Sequence, residues 1–303
     1  MTEASNAQPA RKTSQVAAAP VMRSLTVITK PNASVWIDGV RFGKADETGR
    51  LVIKGVPAGR RSIRIRLDSF KEVVTNLPPA TKHEIAIDPV DKAGAPELAY
   101  QNAERLTASD RQKAIAAYDE TLRLRPGYPE ALLGLARVLS DSGNYERSLK
   151  VLADLKRLKP RFAEASAVEG RVYKELDDEK NAVAAFRRAI AEGGGYEPEA
   201  YAGLGLLYKE KAEDAGSAGD FAGESAAYTE ASRNLTVAVK QLGTAPDAIV
   251  IFQLLGLIYE RQKKFDDAIA LYKDFLKLFP DSPEATAVRS FIVQIEKQLV
   301  QPD

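Results

Sequence analysis

The sequence predicts a two-domain α+β protein, a small all-β domain followed by an all-α helical array. Two periodicities in the chain carry that prediction. Between Leu25 and Ile87, apolar residues in several short runs fall on every second position, the spacing of a half-buried strand. Beyond residue 95 they fall three and four apart, the spacing of a helix that packs along one face, and the helical pattern itself recurs. A length of 303 residues, 45% hydrophobic, with 43 basic and 42 acidic side chains, suits about two globular domains.

The opening stretch, residues 1–22, is rich in Ala, Gln, Ser and Pro and has no hydrophobic period, so it buries too little to offset its ordering entropy and is expected to be a disordered tail. It lacks the apolar core of a secretory signal, and no window reaches the roughly 20 apolar residues that cross a bilayer. The chain as written is therefore expected in the cytoplasm, with the periplasm or cell envelope as the alternative if a native leader is missing. Cysteine is absent, which excludes disulfides, thiolate catalysis and Cys-ligated zinc.

Residues 23–90 form the β-domain. The runs "LTVITK", "SVWID", "RLVIKG", "SIRIRL" and "KHEIAI" read as strands. Asp38-Gly39, between "SVWI" and "VRFG", is a two-residue hairpin signal, because glycine accepts the positive φ of a primed turn. Pro57 and Gly59 mark another turn. Alternation places Val35 and Ile37 toward the core and Ser34, Trp36 and Asp38 on the outer face, where Trp36 is expected to cover the hairpin or dock onto the helical region, with ligand binding as the alternative.

These residues also carry a resemblance. "KPNASVWIDGVRFGK" followed by "GRLVIKGVPAGRRSIRIRLDSFKE" resembles the PEGA domain, a small bacterial and archaeal β-sandwich. The namesake tetrapeptide corresponds to Pro31, Asn32, Ala33 and Ser34, of which only the proline and the small-residue character survive; Val35, Ile37, Asp38-Gly39, Gly43, Pro57 and Gly59 fit. Ser69-Phe70 stands where the family has Gly-Tyr. The resemblance implies a non-catalytic accessory module of the kind found on envelope or signalling proteins.

Residues 91–303 form the helical array. Pro126 and Pro160 lie 34 residues apart, as do Ala114, Ser148 and Ala182 in turn. Second helices read "AIAAY", "SLKVL", "AVAAF", "ASRNL" and "AIALY", a small residue four positions before a bulky one, while first helices carry Ala136, Gly170, Gly205 and Gly256 three residues before Leu139, Tyr173, Tyr208 and Tyr259. This pattern is similar to the tetratricopeptide repeat and implies a superhelix of about five helix hairpins. "SPEATAVRSFIVQIEKQLV", with Val288, Phe291, Ile292, Ile295 and Leu299 on one stripe, is expected to be its capping helix. Two places depart from the pattern. Gln101 and Asn102 replace the usual Leu-Gly pair, which marks an end repeat abutting the β-domain, and "AEDAGSAGDFAGES" adds residues to the fourth repeat as either a longer helix pair or a loop with Phe221 at its tip.

No catalytic, metal or cofactor constellation is present in the sequence, so no enzyme and no cofactor is expected. His83 is the single histidine, and "GVRFGK" falls short of a phosphate loop, with Ala45 in place of the magnesium-binding hydroxyl. Charge is distributed unevenly. Residues 23–90 hold 12 Lys/Arg against 7 Asp/Glu, and residues 91–303 hold 29 against 34, so the halves are oppositely charged. Arg60, Arg64 and Arg66 share one face of "RRSIRIRL", expected to be a solvated strand face or, alternatively, a contact for an anionic surface.

The expected function is a non-enzymatic scaffold that binds a partner protein or peptide. In tetratricopeptide repeats the first helices line a concave groove, and the resemblance implies that the residue after the small packing residue points into it. Those residues are Arg137, Arg171, Leu206 and Leu257, with Lys174 one turn beyond Arg171. A groove basic at its start and apolar at its end suits a peptide with an acidic segment and a hydrophobic anchor, and the competing expectation leaves Arg137 and Arg171 as ordinary helix residues paired with carboxylates such as Glu169. The groove asparagines of the chaperone-tail clamp are missing, and nucleic acid is not an expected partner. The alternative function is a cell-envelope anchoring or polymer-binding protein whose β-domain meets an anionic surface and whose repeats serve as an assembly arm.

Overall fold

A computed structural model describes residues 22–57, 61–79 and 83–300. The predicted tail lies outside the described residues except for Met22, which opens the first strand. Seven strands follow: β1 (Met22–Ile28), β2 (Ser34–Ile37), β3 (Val40–Lys44), β4 (Arg50–Pro57), β5 (Arg61–Arg66), β6 (Val73–Leu77) and β7 (Glu84–Ala86). They form a three-stranded sheet of order β4-β1-β7 and a four-stranded sheet of order β3-β2-β5-β6. The second sheet is antiparallel throughout, whereas β1 pairs β4 antiparallel and β7 parallel.

The Asp38-Gly39 signal is a two-residue hairpin. Ile37 pairs with Val40 across it, and both turn residues have positive φ, 45° and 81°. The predicted alternation of β2 holds, with Val35 and Ile37 fully buried among Leu25, Val27, Ile63 and Ile65 from both sheets. Strand β6 is not among the predicted runs, because only Leu77 of its five residues is buried and Val74 faces solvent.

Eleven helices are found among the described residues: α1 (Ala95–Thr107), α2 (Arg111–Leu124), α3 (Pro129–Ser140), α4 (Tyr145–Leu158), α5 (Ala163–Glu175), α6 (Glu179–Glu192), α7 (Pro198–Ser217), α8 (Phe221–Leu242), α9 (Ala248–Arg261), α10 (Phe265–Leu278) and α11 (Ala285–Val300). They pair as five antiparallel hairpins followed by α11, whose Val288, Ile292 and Ile295 are buried while Phe291 and Leu299 of the predicted stripe stay partly exposed. The extra residues of the fourth repeat lengthen both helices, to 20 residues in α7 and 22 in α8, so no long loop forms there. Phe221 starts α8, strongly exposed, with the Asp220 carboxylate capping the helix by accepting from Gly223 N–H.

Within the last three hairpins a small residue of the first helix lies against a bulky side chain of the second. A methyl group on Gly170 would stand 2.6 Å from the Phe186 ring, one on Gly205 2.5 Å from Leu235, and one on Gly256 2.6 Å from the ring of Tyr272. Phe186, Leu235 and Tyr272 are buried by that approach, each contributing about 1.5–3 kcal/mol of hydrophobic stabilisation. The bulkiest contacts are thus specified by the smallest residues.

The apolar core crosses the predicted domain boundary. Leu25, Val35, Phe42 and Ile63 of the β-domain belong to one buried cluster with Leu242, Phe252 and Phe275 of α8 to α10, whereas α1 to α5 share a separate cluster around Tyr118, Leu135 and Leu152. Gly170→Leu or Gly205→Leu should overpack its hairpin and lower unfolding free energy by about 1–3 kcal/mol. Denaturant titration of each variant measures this, and unchanged midpoints for both would contradict the helix register.

Candidate functional site

The β-domain sits against α1, the start of α5, the segment before α7 and the segment after α8. At the first hairpin, Arg66 donates from Nη1 and Nη2 to Glu104 Oε2 of α1, each at 3.2 Å, and the Tyr118 hydroxyl donates to the other oxygen of Glu104. Gln101, one of the two residues that break the repeat pattern, accepts from Ser69 N–H and donates to Phe70 O, both at 2.9 Å. At the other end, Thr244 Oγ1 donates to Lys54 O at 2.7 Å. Gly243 approaches so closely that a methyl group on it would lie 2.6 Å from Gly55 O.

The middle of this joint is ionic. Asp38 accepts from Ser62 N–H at 2.7 Å and pairs with Arg61 at 3.1 Å, while Arg61 also lies over the Tyr196 ring. Burial raises the Asp38 carboxyl, against the lowering pull of those partners. The turn at Gly39 rests on Glu164, in the first turn of α5. Glu164 joins Glu197 and Glu199, at the start of α7, around the guanidinium of Arg137, which pairs directly with Glu199. Burial, reinforced by Glu199 and Glu164, pushes the Glu197 carboxyl up to about 9. Sequence reading marks such residues only as acidic helix starts, where they suit the macrodipole; their convergence on Arg137 depends on the stacking of α3, α5 and α7.

Four of the five expected groove residues, Arg137, Arg171, Lys174 and Leu206, border a single cavity of about 560 Å³, and Trp36 and Arg41 of the β-domain form its opposite wall. The basic start of the groove is neutralised. Arg137 is held by its carboxylates, Arg171 Nη2 lies 3.4 Å from Asp141, and Lys174 pairs with Glu210 at 2.8 Å and Glu175 at 3.2 Å. Glu169, the carboxylate expected beside the groove arginines, instead pairs with Lys156 and Arg188. Leu257 lies apart, bordering a cavity of about 480 Å³ with Leu254, Tyr228 and Arg261.

The arginine face is also engaged. Arg64 and Arg66 lie 4.9 and 4.7 Å from the Trp36 ring, which is only 8% exposed, so the tryptophan sits beneath two guanidinium groups against the helical region. Arg60 lies outside the described residues. His83 is exposed just before β7, where its carbonyl accepts from Thr26 N–H. Among the described residues, no group of three or more Asp, Glu or His could hold a metal ion, and no helix is long and apolar enough to cross a membrane.

Glu197 gives the joint a pH dependence of defined sign. Its native value of about 9 lies above the ordinary 4.5, so between these pH values the folded protein holds a proton that the unfolded chain has released. Its contribution is full below the lower value, declines as pH rises through the window and levels off above the upper one. Glu197→Gln should flatten this part of the stability profile, by at most about 1.4 kcal/mol per pH unit. Urea midpoints measured from pH 5 to 9 test it, and parallel profiles for the two proteins would show Glu197 to be ionised at neutral pH.

Tetratricopeptide-repeat models match residues 105–172, 163–191 and 249–290. No curated protein matches the chain. Among solved structures, MamA is 24% identical over 63% of this chain and 94% of its own, with a TM-score of 0.42. A thermophilic tetratricopeptide protein of Thermus thermophilus is 20% identical over 68% of this chain and 100% of its own, at 0.47. Yeast Tom70 is 16% identical over 67% of this chain and 40% of its own, at 0.51, a likeness of fold alone. The chain thus carries tetratricopeptide repeats over residues 105–191 and 249–290, within a tetratricopeptide-like array of helices.

Proposed function

We propose that the protein is a non-enzymatic scaffold whose groove takes a peptide segment of a partner protein, with an apolar anchor of that segment seated along α9. The observation that carries this reading is the row Val250, Leu254 and Leu257, four and three residues apart on one helix face, of which Leu254 and Leu257 border the second cavity. Val250 and Leu257 are 64% and 63% exposed. Single exposed apolar residues are ordinary, but a row beside a concavity is a contact surface.

The β-domain is read as a PEGA-like sandwich that braces the array, a reading supported by two sheets over one core and by the Asp38-Gly39 turn. An anchoring role through Arg60, Arg64 and Arg66 draws less support, since Arg66 is committed to Glu104 and Trp36.

Peptides selected from a random display library on the intact protein should bind Leu257→Glu at least about tenfold more weakly, a loss of about 1.4 kcal/mol. Hydrogen exchange should show protection along α9 in the complex. Selected peptides that keep full affinity for both Leu254→Glu and Leu257→Glu would move the site off this helix.

A further inference from the structure

On the other side of Trp36 from the groove lies a cavity of about 670 Å³ between the outer face of the four-stranded sheet and α1. Four cations border it, Arg41, Lys44 and Arg66 from the sheet and Arg105 from α1, against two carboxylates, Asp68 and Glu104. Glu104 is already taken by Arg66 and by the Tyr118 hydroxyl. Arg105 donates to Asn102 Oδ1 at 2.8 Å, a neutral acceptor, and neither Arg41 nor Lys44 has an acidic partner among the described residues. Three cations are thus left to one carboxylate in a walled cleft, where water screens them less than on an open surface.

Two further features belong to the same place. Asn32 and Ser69, both bordering the cleft, have φ of 66° and 69°, the left-handed region that non-glycine residues seldom occupy. Trp36 and Arg41 border this cleft and the groove cavity alike, so the two lie side by side across them. Leu206 and Ile251 give the groove cavity apolar lining.

We propose that this cleft receives the acidic segment of an extended peptide, whose apolar part continues past Trp36 toward the groove. The groove arginines are less suited to an acidic segment, because Glu199 already holds Arg137 and Asp141 lies 3.4 Å from Arg171. A peptide fits better than a uniformly charged polymer, for which the apolar continuation offers no contact. The apolar half of the assignment rests on the groove reading above; the acidic half does not.

Trp36 is the only tryptophan, and its emission reports directly on the cleft. Two probes serve: hexaglutamate, and hexaglutamate carrying three leucines at either end. Hexaglutamate should shift Trp36 emission saturably, and raising the salt from about 0.05 to about 0.5 M should weaken it. The double variant Arg41→Glu/Lys44→Glu should bind it at least about tenfold more weakly. Arg41→Gln/Lys44→Gln, which only removes charge, should weaken it in the same direction and serves if the reversal disturbs folding. Leu257→Glu should leave hexaglutamate unaffected and weaken only the leucine-tailed peptides. No saturable shift with hexaglutamate, or equal affinity for the double variants, would overturn the cleft assignment while leaving the groove reading intact. Leucine-tailed peptides indifferent to Leu257→Glu would remove the groove reading instead, with the cleft standing on hexaglutamate alone. A heparin oligosaccharide that binds through Arg41 and Lys44 more tightly than hexaglutamate would overturn the peptide assignment in favour of a polyanion.

Discussion

The close approach of a small residue in a first helix to a bulky one in the second, made in three of the five hairpins, fixes the rest of the molecule. Where Gly170 meets Phe186 and Gly205 meets Leu235, the two backbones come as near as a side chain lying flat allows. That distance sets how one hairpin stacks on the next, and so how α3, α5 and α7 line up on the concave side. Arg137 from α3, Glu164 from α5 and Glu197 and Glu199 from the start of α7 meet only because of that alignment. Helix packing thereby builds a polar cluster from residues scattered over more than sixty positions of the chain.

The same alignment makes the seat for the β-domain. One end of the seat is polar, at Glu104 and Gln101, and the other is apolar, at Leu242 and Phe252. Cavities remain along the polar and ionic part. Apolar contact gives the joint its adhesion, and the charged part gives it orientation, since Arg61 meets Tyr196 and Arg66 meets Glu104 of the array in this placement.

Local features were readable from the sequence, and the joint only in outline. The Asp38-Gly39 hairpin, the inward Val35 and Ile37, the five helix hairpins and the atypical Gln101 all follow from spacing and turn chemistry, which act over a few residues. Strand β6 escaped because an exposed edge strand carries no alternation. Of the expected groove residues, Arg137, Arg171, Lys174 and Leu206 border one cavity and Leu257 another. Pairing of Arg137 and docking of Trp36 onto the helical region are both among the expectations, but the partners are not legible in the sequence: Glu199 reaches Arg137 from α7, and Trp36 borders the same cavity as α5 and α7. Pairings between distant segments leave no local trace.

The buried cluster that joins the first strands to α8, α9, α10 and α11 has a mechanical consequence. A free repeat array is a spring, soft along its axis because each hairpin touches only its neighbours. Here the β-domain grips α1 at Glu104 and the α8–α9 connection at Thr244, like a strut fixed between the two arms of a bow. The curvature of the array between those points is then held by a rigid member, and tension applied across the repeats passes into sheet hydrogen bonds before it can unwind a helix.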